Sequence, residues 1–338
     1  MTFFFFSCAR YENDFRRSLI TRLIEKGHVV WHVCVGRTNI ITRQDGTSTE
    51  FIGLSGFFQL IKYIGEHSTP SSSVFIDSTG GFVPIRSLLL RALFRGCWCF
   101  DIFDNLLYDS RGFFRLTRWI ALSLLVHFSR IRIVLSQDSL RLFPSAHHLN
   151  NAADTQRVLR AESAFDGLLI LAMLDRRFDF GLVRQVLASA PEIKIYLYGR
   201  VGAHDELVRL QLEELCATYP NLVYRGEYRM DDADAILAPF GIGFTPYVTN
   251  NLLTEFINPD KYYMFLNSGM EVISTEIPQA QRMRDHIHIV RSASDVVTLV
   301  ARIQANPSYR KNKDFGRDFR WEKRADDFVR LIQETAHL

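Results

Sequence analysis

Apolar positions along the chain fall into two alternating rhythms. Short runs rich in Phe, Val, Ile and Tyr alternate with longer segments whose Leu and Ile recur at helical spacing. Residues 3–8 read as a strand, 15–26 as a helix with Leu19, Leu23 and Ile24 on one face, and 28–35 as a second strand, with Gly27 stopping the helix. Strand, helix and strand in such close succession form a βαβ unit, which implies a parallel sheet.

The rhythm then repeats. Helices are predicted over 56–66, 83–95 and 112–128, and strands over 74–77, 97–103 and 132–136, the last continued by 137–143. Residues 144–165 are polar and form the best linker. Beyond it, strands are predicted over 166–174, 193–198, 222–225, 235–240, 271–275 and 286–290. Helices are predicted over 180–189, 206–218 and 294–305, with a helix start at 230–234. The pattern is that of two parallel α/β domains with a cleft between the carboxyl ends of their sheets, where small molecules commonly bind. The first βα loop, 7–14, lies at such an edge but lacks G-x-G-x-x-G, so nothing calls for NAD.

With 338 residues, 47% of them hydrophobic and 23% charged, the chain is ordinary for a globular protein and long enough for two domains. Its five cysteines are odd in number, and Cys97 and Cys99 are the only close pair. That argues for free, buried thiols in a reducing compartment over a disulfide framework or a zinc site. The apolar N-terminus lacks a basic leader and reads as a buried strand, and no uninterrupted apolar run is long enough to cross a membrane.

Charge changes the picture more. Residues 1–160 hold 19 Lys/Arg against 12 Asp/Glu, whereas the remainder holds 21 against 25. A basic half beside an acidic half points to an anionic partner for the first half. The segments 83–95 and 112–128 mix Arg with Leu, Phe and Trp. One reading is a pair of helices packed on the sheet with their arginines in water. The other is a surface resting on lipid headgroups, with Trp119 or Phe113 and Phe114 dipping in. Both segments are too apolar for a solvated RNA face, so no nucleic-acid partner is expected.

Residues 246–275 carry the strongest candidate chemistry. Asn258-Pro259 opens a short helix, Gly269 ends it, and 271–275 supplies a strand. Lys261 lies in the first turn, where unpaired N–H groups and partial positive charge suit a phosphate or diphosphate. A plain loop, helix and strand with a solvated lysine would read the same way locally.

Five stretches, in order, resemble the GT-B glycosyltransferases, specifically the bacterial group that builds capsule, exopolysaccharide and lipopolysaccharide sugars and its glycosyltransferase 4-like and glucuronosyltransferase-like members. They are F-D-I-F-D-N at 100–105, L-N-N-A-A-D at 149–154, the β-α-β run from Asp175 to Gly199, the P-Y…N-P-D-K-Y-Y-M-F-L-N-S-G-M-E-V-I-S-T stretch, and F-R-W-E-K-R-A at 319–325.

The resemblance implies an α/β GT-B fold of two Rossmann-like domains facing a central cleft. The acceptor domain would span 1–155 and the donor domain 156–320, with a terminal helix at 321–338 returning toward the first. It implies a metal-independent hexosyltransferase moving a sugar from a nucleotide-diphosphate donor to a lipid-linked or envelope-glycan acceptor. Such an enzyme uses no cofactor and works on the cytoplasmic face of the inner membrane, held there peripherally by its basic first domain.

Donor contacts would come from Lys261, Arg177, Gly199, Tyr247, Asn258 and the position of Met264. The general base would be Asp104, with Asp101 its rival and Asp14 and Asp77 at other strand exits. Asp104 could equally cap the following helix, and Arg177 could simply pair with Asp175 or Asp179. The chain departs from the family at Met264, where a ribose-gripping Glu is usual, at Glu271, where Pro is usual, and in the N-A-A-D crossing motif. These changes leave room for a divergent donor, or for a catalytically weakened binding or scaffold subunit.

Overall fold

The computed structural model describes the chain apart from residues 9–10, 12–13, 15, 35–38, 45–48, 55, 70, 79–83, 103–111, 159–164, 203–204, 312–314, 316–318 and 337–338. It divides into two compact units, Met1–Asn151 with Arg320–Leu338, and Ala152–Phe319. Each is a Rossmann-like sheet, mostly parallel in the first unit and wholly so in the second, with helices packed around it.

In the first unit the strands are β1 (Thr2–Ser7), β2 (Val29–Cys34), β3 (Asn39–Gln44), β4 (Thr49–Leu54), β5 (Ser73–Asp77), β6 (Cys97–Ile102), β7 (Ile131–Val134) and β8 (His147–His148). The helices are α1 (Arg17–Glu25), α2 (Phe57–His67), α3 (Pro84–Leu93), α4 (Gly112–His127) and, from the far end of the chain, α12 (Trp321–Ala336). The sheet order is β4-β3-β2-β1-β5-β6-β7-β8. β1 is central, and the unbroken run Phe3–Phe6 is buried on both faces, as a parallel strand covered by helices requires. Phe4 stacks on Trp31 at 5.9 Å, and Phe75 on Trp98 at 4.7 Å, beneath Leu60 and Ile64 of α2. On the opposite face Phe3 and Phe5 meet Phe328 of α12.

β3 and β4 pair antiparallel with β2 and with each other. The hydrophobic pattern predicts no hairpin here, although Asp45-Gly46 between two β-prone runs is a strong hairpin signal. The predicted continuation of β7 through 137–143 does not form. Instead Gln137–Arg141 forms a 3-10 turn, because the Ser136 side chain accepts the Asp138 N–H and bends the chain away from the sheet.

The second unit is a six-stranded, wholly parallel sheet. Its elements are β9 (Gly167–Leu171), α5 (Phe180–Ser189), β10 (Lys194–Tyr198), α6 (Glu206–Thr218), β11 (Leu222–Tyr224), α7 (Ala233–Leu237), β12 (Ile242–Thr245), α8 (Leu252–Glu255), α9 (Asp260–Asn267), β13 (Glu271–Thr275), α10 (Pro278–Arg282), β14 (Ile287–Val290) and α11 (Ala293–Ala305). The strand order is β11-β10-β9-β12-β13-β14.

The strand expected over 235–240 is not there. That stretch holds α7, and the strand is β12, later in the chain. Pro239 has no N–H for a ladder, and a central strand must donate on every residue. Gly243 within β12 and Gly241 just before it hid the strand from a propensity reading, yet both are required by packing. A Cβ on Gly243 would lie 2.3 Å from the Phe265 ring of α9, and one on Gly241 would lie 2.6 Å from Phe165.

Candidate functional site

The carboxyl ends of β9 and β12 and the start of α9 bring several of the sequence candidates together. The loop after β9 is stitched to the loop after β12. Asp179 N–H donates to the Pro246 carbonyl, and Val248 N–H to the Arg177 carbonyl, both at 2.8 Å. Tyr247 is fixed in turn by Thr275, whose Oγ1 accepts the Tyr247 N–H at 2.9 Å and donates to the Tyr247 carbonyl at 2.7 Å. Burial pushes the Tyr247 hydroxyl well above its ordinary pKa. Tyr262 and Asp260 add to the rise, and the charge of Arg177 opposes it.

Arg177 pairs with Asp175, Nη2 to Oδ2 at 2.6 Å, and the same carboxylate accepts the Arg177 N–H at 2.8 Å. Both groups remain about one-quarter exposed, so the pair meets solvent.

Pro259 stands at the head of α9, and Lys261 occupies the first turn. Its Nζ donates to Asp260 Oδ2 at 2.7 Å and lies 5.9 Å from the centre of the Tyr228 ring. Burial by itself would lower the ammonium pKa. The carboxylate of Asp260 and the Tyr228 hydroxyl outweigh it and raise the value, so Lys261 is a fixed cation. Tyr228 sits edge-on to Tyr198 at 6.4 Å. It is the neighbour that the sequence reading missed, because it lies on a loop far upstream.

Asn258 is buried, and its Oδ1 accepts the Tyr263 hydroxyl at 2.8 Å, which ties the residue before the helix to its first turns. Met264 is 2% exposed and belongs to the same core cluster as Leu169, Leu171 and Phe265. Its carbonyl accepts Thr155 Oγ1 at 2.8 Å, and Asn267 Nδ2 donates to the Ala153 carbonyl at 2.6 Å. Those two bonds tie the N-A-A-D stretch to α9. Gly199 follows β10, where a Cβ would fall 1.9 Å from the Ala172 carbonyl oxygen. The chain's own backbone therefore demands that glycine. Glu271, the other departure, is buried on β13 and accepts both His288 Nε2, at 3.0 Å, and the Lys311 N–H, at 2.8 Å.

The candidate base Asp104 lies outside the described residues. Asp101, its rival, is 2% exposed near the end of β6. Arg16 grips it with two bonds, Nε to Oδ2 at 2.7 Å and Nη2 to Oδ1 at 2.5 Å, and Ser78 Oγ donates to Oδ2 at 2.9 Å. With both oxygens so held, accepting a proton would break a buried ion pair. Asp14 is equally engaged. His32 Nε2 donates to its Oδ2 at 2.8 Å, and the Arg16 N–H to its Oδ1 at 2.7 Å. Burial alone would raise the Asp14 pKa, but the hydrogen bond and charge of His32, with help from Ser7 and the Arg16 N–H, hold it below the ordinary value. Asp77 faces Arg91 at 3.3 Å.

Among the described residues no group of three His, Cys, Asp or Glu side chains is gathered to hold a metal. None of the five cysteines is in a disulfide, but Cys8 and Cys216 are exposed where buried thiols were expected. No helix of the described residues is long and apolar enough to cross a membrane.

No protein-family model matches the sequence, and no curated protein resembles it significantly. Solved structures do share its fold. Sucrose-phosphate synthase from Thermosynechococcus elongatus superposes with a TM-score of 0.72 at 15% identity, over 99% of each chain. The catalytic domain of starch synthase IV from Arabidopsis thaliana, bound to ADP and acarbose, gives 0.71 at 10% identity over the whole of both chains. The lipopolysaccharide outer core galactosyltransferase WaaB, in its apo form, gives 0.56 at 10% identity over 98% of this chain and 99% of its own. The fold is GT-B.

Proposed function

We propose that the protein is a metal-independent glycosyltransferase that moves a hexose from a nucleotide-diphosphate sugar to a lipid-linked or envelope-glycan acceptor. The observation that carries the reading is the placement of Lys261 in the first turn of α9, beside Tyr228 and in the same cluster as Arg177 and Tyr247. An ammonium in the first turn of a helix, where unpaired N–H groups carry partial positive charge, can stabilise the charge that develops on a departing diphosphate. In this reading the acceptor oxygen bonds to the anomeric carbon while the bond to the diphosphate breaks, and that electron pair leaves on phosphate oxygen. Arg177 is the second cation, exchanging part of its pairing with Asp175 for the donor, and Tyr247 and Gly199 border the nucleotide. Asn258 acts through Tyr263 by setting the helix start. Asp104 takes the hydroxyl proton if the reaction inverts the anomeric carbon. Asp101, held by Arg16, serves as structure rather than as base. The basic first unit would keep the enzyme on the anionic cytoplasmic face of the inner membrane.

Incubating the protein with a panel of nucleotide sugars and a membrane extract should yield a glycosylated acceptor, and calorimetry should detect nucleotide-diphosphate binding. Absence of binding to every common nucleotide would overturn the transferase reading. A second reading, a GT-B-shaped binding subunit without turnover, is favoured by one observation. The position that usually grips the ribose is a methionine buried in the core. Nucleotide binding without any sugar transfer would select it.

A further inference from the structure

The two Arg-bearing helices of the first unit each carry a second apolar stripe that the fold does not cover. On α4 the inward side is made by Ala121, Leu122 and Leu125. Leu116, Ile120, Leu124 and Phe128 recur every fourth position on the outward side, and all four are exposed, Phe128 by 60%. Trp119 stands beside them at 53%. On the neighbouring α3, Leu90 points inward while Ile85, Leu89 and Leu93 form the same i, i+4 row outward, Ile85 at 73%. An amphipathic surface helix normally buries its one apolar stripe and turns charge outward. These two helices are apolar on both sides, and they pack on each other, so the two rows lie on neighbouring helices. Scattered exposed leucines need no explanation, but two aligned rows do.

The charges on these elements say what covers the rows. Neither helix contains a single Asp or Glu. Arg86 belongs to α3, Arg115 and Arg118 to α4, and Arg95 and Arg130 follow the two helices, both of them exposed. Arg91 is the exception. It turns inward to Asp77, Ser129 and the Leu125 carbonyl, and its side chain is nearly buried. An apolar strip that includes a tryptophan, accompanied by arginines and free of carboxylates, matches the boundary between lipid headgroups and acyl chains. A water-soluble protein partner recognised by this surface would have to supply a large apolar patch with an acidic rim.

We propose that the outer face of α3 and α4 is a docking surface for an anionic lipid bilayer. Trp119, Ile120, Phe128 and Ile85 enter the acyl boundary, and Arg86, Arg95 and Arg130 meet the phosphates. This deepens the membrane association proposed above by naming the surface that makes it, and it does not depend on catalysis.

The full chain can be tested by co-sedimentation with vesicles of phosphatidylglycerol and phosphatidylethanolamine, against vesicles of phosphatidylcholine, at low and high salt. Binding should require phosphatidylglycerol and fall with salt. Trp31, Trp98 and Trp321 are 3%, 6% and 5% exposed, so a blue shift of tryptophan emission on binding reports Trp119. Arg95→Glu with Arg130→Glu should weaken partition at least tenfold, taking about fivefold for each arginine lost at such a surface. Trp119→Ser with Ile120→Ser should abolish binding and leave the melting temperature unchanged, because both residues are exposed. Binding that survives both double variants, or no binding to the anionic vesicles, would overturn the proposal. So would a concentration-dependent dimer, seen by light scattering, that the same variants dissociate, since the face would then meet a second copy. Calorimetric nucleotide binding by the same protein without vesicles reports the transferase reading separately, so either can fail alone.

Discussion

Arg16 holds Asp101 with two nitrogens inside the first unit, although 85 residues separate them in sequence. The pair joins the segment after β1 to the end of β6, and Ser78 completes the carboxylate's shell. Removing one partner of such a pair leaves an uncompensated buried charge. Asp101→Asn should therefore destabilise the protein by about 3–5 kcal/mol. Asp104→Asn, at the proposed base, should cut turnover and leave nucleotide binding intact. Urea melts of Asp101→Asn and turnover of both variants decide this. An Asp101→Asn protein of wild-type stability without sugar transfer would reverse the roles assigned to the two aspartates.

The neighbouring Asp14–His32 pair makes stability depend on acid. Because folding lowers the Asp14 pKa below its ordinary 3.8, the folded state binds that proton less readily than the unfolded chain does. The contribution is fully present above 3.8 and is lost as the pH falls through the folded value. Asp14→Asn should cost stability at neutral pH, and its deficit relative to wild type should shrink from about pH 5 to about pH 2. A constant deficit across that range in paired denaturation curves would show that the carboxylate's charge contributes nothing.

Asp260 raises the pKa of Lys261 and pairs with its ammonium, which gives two variants opposite signs. Lys261→Ala should lose a charge-assisted contact worth about 1.5–3 kcal/mol, roughly a 10- to 150-fold rise in the nucleotide-diphosphate dissociation constant. Asp260→Asn removes the competing anion and should tighten binding by a few-fold, about what one partly screened charge provides. Because its pKa is raised, Lys261 stays protonated throughout the neutral range, and affinity should show no step there from this group. Calorimetry on both variants across pH tests the set. Weaker binding in Asp260→Asn would mean that the carboxylate positions the lysine more than it neutralises it.

The alternation of strands and helices was legible because continuous apolar runs such as Phe3–Phe6 and amphipathic helices such as α1 announce themselves locally. β12 did not, since Gly241 and Gly243 are chosen for contact with Phe165 and Phe265, and such contacts leave no mark on propensity. At the site, the Asn258-Pro259 helix start and Lys261 were readable from capping chemistry within one turn. Tyr228 and Arg16 were not, because each reaches its partner only through the folded topology. Glu271 shows the same limit. Read alone it breaks a motif, and only the register of β13 with β14 brings His288 to it.

Met264 offers the sharpest separation between family pattern and local physics. A glutamate here would restore the usual ribose contact if the side chain could reach the donor. In this protein the side chain instead fills the core among Leu169, Leu171 and Phe265. Met264→Leu conserves volume and apolarity and should cost less than about 1.5 kcal/mol. Met264→Glu must bury a carboxyl among these residues without a partner, at a cost of about 2–7 kcal/mol even when it is protonated. That variant should melt well below Met264→Leu and gain stability as the pH falls, since burial raises the acid's pKa and the neutral form is the one the core tolerates. A Met264→Glu protein with unchanged melting and tighter nucleotide binding would show that α9 can turn this position outward. The methionine would then mark a reversible loss of donor affinity rather than a rebuilt core.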